Sequence, residues 1–182
     1  MTELSLHILD VVQNSLSAGA TRIIIRIEEI PVDDLYRIEI SDNGKGMKRD
    51  ELAKVTDPFY TSRTTRKVGM GIPLFMQAVE QCNGELSLAS EPGKGLQVKA
   101  SLQLSHFDRQ PLGDIAGVVM QLVNSYTSAE FRYEHTTPNG SWAFDTVEVK
   151  EIVGAENIPE PNVIRFLRQM IRENLEDIKA GA

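Results

Sequence analysis

Several things this sequence has little of narrow what it can be. It holds one cysteine, Cys82, so no internal disulfide can form and no cysteine spacing offers a zinc site. It has no excess of positive charge: Lys and Arg number 19 against 26 Asp and Glu, for a net charge of −7. An acidic balance argues against a binder of phosphate backbones, which needs a basic surface, so no nucleic-acid partner is expected. No run approaches the roughly 20 apolar residues that a membrane helix requires, so no membrane partner is expected either. The start, Met1-Thr2-Glu3-Leu4-Ser5, lacks the basic and apolar stretches of a signal peptide. Low-complexity tracts and repeats of useful period are missing too. The expectation is a soluble cytoplasmic protein.

What is present is enough for a folded domain. The chain has 182 residues, of which 41% are hydrophobic, so a packed core is feasible and disorder is not expected. Charged residues make up a quarter of it. One local basic cluster stands at Arg63, Arg66 and Lys67.

Apolar spacing predicts a helix from Glu3 to Ser17, then a strand from Thr21 to Ile30 with three consecutive isoleucines. A turn at Pro31–Asp34 leads to a second strand over Tyr36–Ile40, which alternates apolar and polar. A short helix over Lys48–Val55 follows. Thr56–Val68 is polar and irregular, of a length that in compact domains marks a functional lid or disorder. A helix opens at Gly69-Met70-Gly71 and runs to about Cys82. Strands near Glu85–Ser90 and Leu96–Leu104 flank the turn Glu91–Gly95.

Ser105–Gly113 reads as a linker, giving an expected division into residues 1–104, 105–113 and 114–182. The last part reads as helix (Asp114–Tyr126), strand (Glu130–Thr136), strand (Ser141 to about Ile152) and helix (Asn162–Ile178): a small αββα unit. Asn139-Gly140 between the strands is a hairpin turn. Ile164, Leu167, Ile171, Leu175 and Ile178 form an apolar stripe on the last helix, which must be buried against something. Partner binding or a homodimer through this unit is one expectation.

The first helix carries an unusual polar stripe. Glu3, His7, Asp10, Asn14 and Ser17 fall within an arc of about 80° on an otherwise apolar helix. Two readings are open: a partly solvated surface helix, or a helix flooring a polar cavity. In the second, Asn14 offers an amide oxygen to a hard cation, and Asp10, one turn earlier, offers a carboxylate base. Asp42-Asn43-Gly44-Lys45-Gly46-Met47 follows a strand directly. A carboxylate at a strand end can accept from an exocyclic amine, and glycines beside it admit a flat base, although this is also common turn composition. Gly69-Met70-Gly71 opens a helix, whose free N–H groups suit phosphate, just after the basic Arg66 and Lys67. The chain has neither a Walker P-loop nor the third glycine of a dinucleotide fingerprint.

The order of these pieces resembles one family. It is similar to the ATP-binding domain shared by sensor histidine kinases, type II topoisomerases, the ninety-kilodalton heat-shock protein and MutL mismatch-repair proteins. Leu9–Thr21 resembles the MutL version of the family's first box, and Ser41–Met47 its first glycine box. Asp57–Ser62 resembles the phenylalanine box of histidine kinases, and Val68–Leu74 their second glycine box. Asn83–Leu86 and Ser90–Gly95 look like the closing strands of a kinase catalytic domain. The resemblance covers about residues 1–104. It implies an α+β, two-layer α/β sandwich of the Bergerat type, with the αββα unit appended.

The resemblance also implies roles. Asn14 would hold Mg²⁺ against the phosphates of ATP. Asp42 would accept from the adenine amine, with Gly44 and Gly46 admitting the purine. Gly69, Met70 and Gly71 would form the hinge where the lid meets the phosphate-binding helix, and Phe59 would pack the lid base. Charge alone, and not the resemblance, would make Arg66 and Lys67 phosphate ligands.

There are departures from the family pattern. Asp10 stands where the family's ATPases carry a glutamate base, one methylene longer. No phosphoacceptor segment precedes the first box, and neither His7 nor His106 stands in a phosphoacceptor context; His7 is expected to line the cavity and His106 to lie in the linker. Residues from Ser105 on match nothing in the family. The leading expectation is an ATP–Mg kinase-type module acting on a separate protein partner. The alternatives are an ATPase conformational switch and a non-catalytic nucleotide-sensing, anti-sigma-like module in which Asp10 is inert.

Overall fold

The computed structural model describes residues 2–55 and 71–181. The first helix, α1 (Leu4–Ser17), buries Leu4, Ile8, Val11, Val12 and Ser15 at three- and four-residue steps. Its first turn has no side-chain cap. Instead the Leu4 and Ser5 N–H groups donate to the carbonyls of Pro111 and Leu112, both at 2.9 Å, so a distant segment satisfies the free donors of the helix start.

Six strands form one sheet: β1 (Arg22–Ile30), β2 (Leu35–Asp42), β3 (Glu85–Ser90), β4 (Leu96–Gln103), β5 (Glu130–Thr137) and β6 (Gly140–Asp145), in the order β3-β4-β2-β1-β5-β6. Every pairing is antiparallel except β1 with β5. Strict alternation sets the two faces. Ile23, Ile25 and Ile27 point inward beside Ile38, Ile40, Val98, Phe131 and Tyr133. On the other face, one register line carries Lys99, Glu39, Arg26 and Glu134 side by side across four strands. Arg26 meets Glu134 at 2.6 Å and Glu39 at 3.6 Å, and Lys99 meets Glu39 at 3.9 Å. Such half-exposed pairs contribute only about 0.2–1 kcal/mol each, but they keep this face of the sheet soluble.

Helices cover the inward face. Besides α1 these include α3 (Gly71–Glu80), packed on α1, β3 and β4, and α4 (Ile115–Ser125), packed on α1 and β5. The short α2 (Arg49–Val55) lies against β3. The result is the two-layer α/β sandwich expected.

The C-terminal part differs from its reading as an appended unit. β5 pairs in parallel with β1 from Arg22 to Glu28, so its strands continue the same sheet. An unpaired strand edge needs hydrogen-bond partners, and β5 supplies them to β1. The expected linker is a strap. Ser105 binds the Asp34 carboxylate through its N–H and its hydroxyl, both at 2.8 Å, and the Arg109 guanidinium lies 5.0 Å from the Tyr36 ring.

The strand read through to Ile152 stops at Asp145. There the carboxylate accepts from the Val147 N–H at 2.9 Å and caps a helix, α5 (Thr146–Val153). The Val-Glu-Val alternation of that segment mimics a strand. The capping pair Asp145 and Glu148 was the opposing signal. The final helix, α6 (Pro161–Asp177), opens on a proline and packs on α4 and β6. Its stripe residues Leu167, Ile171 and Leu175 are buried within this chain, as is Ile178, so no second copy is needed to cover them.

At the end of the sheet away from Asp42, a buried polar chain ties the C-terminus down. His135 Nε2 meets Glu29 Oε1 at 2.8 Å, its Nδ1 meets the Tyr133 hydroxyl at 2.7 Å, and the Gly181 N–H donates to the same Glu29 oxygen at 2.6 Å. Burial pushes the Tyr133 phenol well above its usual range, so it stays a neutral donor or acceptor.

Candidate functional site

The site is built where α1 ends, β2 ends and α3 begins. Its pocket is walled by Asn14 and Ser15 of α1 and Ala18 just past its end, by Asp42 at the end of β2 and Lys45–Met47 after it, and by Val55, Ile72 and Leu96. Asn14 is half-buried, and its side-chain amide makes no hydrogen bond among the described residues, which leaves its oxygen free for a ligand. Asp10, one turn earlier, is also half-buried. It faces the start of α3: a Cβ placed on Gly71 would lie 3.3 Å from Asp10 Oδ2. The amide and the acid therefore share one edge of α1, as the stripe predicts.

The stripe does not hold along its whole length. His7 is buried in the core, stacked on Phe75 at 5.2 Å and hydrogen-bonded to Gln110. It does not line the pocket, and burial holds its imidazole below the ordinary value of 6.5. Glu3 faces the strap, where the Asp114 N–H approaches it at 3.4 Å. Ser17 turns its hydroxyl onto the Gln13 carbonyl.

Asp42 is oriented by backbone. Its Oδ1 accepts from the Gly44 N–H at 2.8 Å and from the Leu96 N–H at 3.2 Å. Its Oδ2 makes no hydrogen bond among the described residues, so one oxygen is fixed and one is available to an amine. Asn43 locks the strand end to the α1–β1 turn, accepting from the Thr21 and Arg22 N–H groups and donating to the Thr21 hydroxyl. Gly44 is buried against the Ala18 carbonyl, 3.2 Å from where its Cβ would be. Gly46 has φ 66°, and a Cβ there would strike the Glu91 carbonyl at 2.0 Å, so only glycine fits.

Of the residues expected in the site, Asp10, Asn14, Asp42, Gly44, Gly46 and Gly71 are brought together. Arg66, Lys67, Gly69 and Met70 lie outside the described residues, as do Phe59 and the expected lid Thr56–Val68. Sequence reasoning missed Ala18 and Leu96. Ala18 could have been found, because it follows Asn14 by one helical turn. Leu96 could not, because its N–H reaches Asp42 from 54 residues away.

A cavity of about 410 Å³ opens between α1, α4 and α6, larger than the roughly 80 Å³ beside Asp42. Chemistry rather than size decides between them. The larger one is lined by Glu3 and Asp114, and its cation, Arg168, is already paired with Asp114. Its two carboxylates oppose a phosphate. The smaller one combines apolar walls with an available carboxylate and amide. Among the described residues, no group of three or more His, Cys, Asp or Glu could hold a metal unaided. No helix there is long and apolar enough to cross a membrane.

A sheet under a helix layer, with a pocket between α1 and the end of β2, is the two-layer α/β sandwich that the sequence predicts. Residues 2–106 match the model of the histidine kinase-, DNA gyrase B-, and HSP90-like ATPase family, and the chain belongs to that family. It is 29% identical over 98 residues to the Non-motile and phage-resistance protein of Caulobacter vibrioides, covering 51% of this chain and 12% of that protein. It is 31% identical over 97 residues to Sensor protein DegM of Bacillus sp. strain B21-2, covering 53% of this chain and 26% of that protein. The match thus spans about a quarter or less of these relatives' length. Among solved structures, the Aquifex aeolicus MutL ATPase domain complexed with ADP is similar, with TM-score 0.50 and 16% identity, over 84% of this chain and 69% of that one. That share exceeds the family match, so the likeness in fold reaches into the C-terminal strands and helices.

Proposed function

We propose that this chain is an ATP–Mg-binding, kinase-type module that passes a phosphoryl group to a separate protein. The observation that carries the reading is the arrangement of three side chains. Asp10 and Asn14 stand one turn apart on α1, Asp10 against the first residue of α3 and Asn14 in the wall of the pocket that holds Asp42.

In this reading Asp42 Oδ2 accepts from the adenine amine, and Gly44 and Gly46 admit the purine. The phosphates extend toward the start of α3, where the positive end of the helix dipole favours them. Asn14 contributes an amide oxygen to Mg²⁺, which when bound neutralises charge on the phosphate oxygens. Gly71 opens α3 at that end; Arg66, Lys67, Gly69 and Met70, expected to serve the phosphates, lie outside the described residues. When the acceptor is a hydroxyl, Asp10 takes its proton as the oxygen bonds to the γ-phosphorus and ADP leaves. When it is a neutral imidazole nitrogen, no base is needed for attack.

The match to a sensor protein supports the kinase reading. An ATPase conformational switch is the second reading, supported by the acid placed against the start of α3 and by the fold shared with a MutL ATPase domain. Both are tested by incubating the full chain with γ-labelled ATP and Mg²⁺, with and without a cell extract. The kinase reading expects label on a distinct protein, lost with Asp42→Asn, and slow hydrolysis without the extract. Rapid hydrolysis by the purified chain that depends on Asp10 would make the ATPase switch the better description. Neither activity, with ATP still bound, would leave a nucleotide sensor.

A further inference from the structure

The β3–β4 turn does more than close a hairpin. It interlocks with the Asp42–Met47 loop, which walls the pocket. The Gly93 N–H donates to the Lys45 carbonyl at 2.7 Å. A Cβ on Gly46 would lie 2.0 Å from the Glu91 carbonyl oxygen, and a Cβ on Gly95 would lie 1.9 Å from the Asp42 carbonyl oxygen. Two backbones that approach this closely leave no slack, so the hairpin sets where the loop sits.

Ser90, the last residue of β3, is the side chain that joins the two. Its Oγ accepts from the Met47 N–H at 2.9 Å and donates to the Gly95 carbonyl at 2.6 Å. That carbonyl belongs to the same peptide group as the Leu96 N–H, which donates to Asp42 Oδ1 at 3.2 Å. The peptide is planar, so fixing its oxygen end fixes the direction of its N–H end. A donor on the carbonyl also polarises the group and strengthens the bond its N–H makes.

We propose that Ser90 is a positioning residue for nucleobase recognition. Acting through the Gly95–Leu96 peptide, it holds Asp42 so that Oδ1 is spent on backbone and Oδ2 faces the base amine. The inference rests on reading Asp42 as the acceptor of the adenine amine.

The test compares ATP with inosine triphosphate, which carries an oxygen in place of that amine, by calorimetric titration of the full chain. Wild type should prefer ATP. Ser90→Ala should weaken ATP by about five- to tenfold, as expected for one or two neutral hydrogen bonds, and leave inosine triphosphate within about twofold. Ser90→Thr, which keeps the hydroxyl, should restore the preference. Ser90→Cys keeps the volume but bonds weakly, so it should behave as Ser90→Ala and serves in its place if alanine does not fold. Equal loss of both nucleotides, or an unchanged preference in Ser90→Ala or Ser90→Cys, would overturn the role given to Ser90. A wild type that binds ATP without preferring it to inosine triphosphate would instead remove Asp42 from base recognition, a separate failure.

Discussion

Gly71 lies against Asp10: a Cβ added to the glycine would sit 3.0 Å from the Asp10 Cβ and 3.3 Å from Oδ2. The acid on α1 and the opening residue of α3 therefore form one edge of the site, although 61 residues separate them. If Asp10 is the general base, Asp10→Asn keeps ATP affinity within a few-fold and lowers turnover by ~10²–10⁴. Steady-state hydrolysis or transfer assays beside a binding titration check this. Unchanged turnover on a hydroxyl acceptor would assign the proton to another group.

Asp42→Asn separates the two jobs of that carboxylate. Asparagine keeps Oδ1 for the Gly44 and Leu96 N–H groups but presents an amide NH₂ donor where Oδ2 stood, so on the proposed reading the fold survives and the contact with the base amine is lost. A charge-assisted bond is worth roughly 1.5–3 kcal/mol, or on the order of 10- to 150-fold in ATP affinity. Calorimetry on the folded variant decides it, and wild-type affinity would remove Asp42 from the site.

Asn14→Ala tests the metal. The amide has no hydrogen-bond partner among the described residues, so its loss costs little stability. ATP binding should weaken, and most of its response to added Mg²⁺ should vanish. A variant that titrates like wild type with and without Mg²⁺ would mean that Asn14 holds no metal.

His7 predicts an acid-side slope in stability. Burial, the main cause, holds its folded value below 6.5, and the Gln110 bond opposes the shift only in part. Between the folded value and 6.5 the unfolded chain takes up a proton that the folded chain refuses. Stability therefore falls as pH drops below about 6.5, and the loss is complete below the folded value. Urea unfolding at several pH values between about 7 and 5 should show a shallower slope for His7→Phe than for wild type. Parallel slopes would contradict a neutral buried His7.

A chain ended after residue 106 should fail to fold cooperatively. It loses the pairing of β5 along β1 and the cover of α4 over α1, although it keeps the six described residues of the candidate site. Circular dichroism during urea titration checks this. A sharp transition with wild-type ATP affinity would make the remaining residues a separable unit.

How much of this was legible in the sequence depends on how local each feature is. Asp10 and Asn14 share a helix edge because of the 3.6-residue period, so four letters of sequence place them together. The alternation in β2 fixes which of its isoleucines face inward, while the run Ile23-Ile24-Ile25 in β1 leaves the choice to pairing; the glycines around Asp42 announce a close approach. These follow from backbone geometry over one or two turns. His7 belongs to the same stripe, but the neighbour that buries it, Phe75, comes from another helix, and no periodicity says which helices meet. The parallel pairing of β1 with β5 joins segments more than a hundred residues apart, and it turned an expected appendage into a continuation of the sheet. The second bond to Asp42 Oδ1 comes from Leu96, a backbone N–H whose donor capacity every residue but proline shares. Sequence determined the types of group available and their local phase. Tertiary structure decided which backbone groups from distant segments would spend their hydrogen bonds on them, because that depends on register across the sheet.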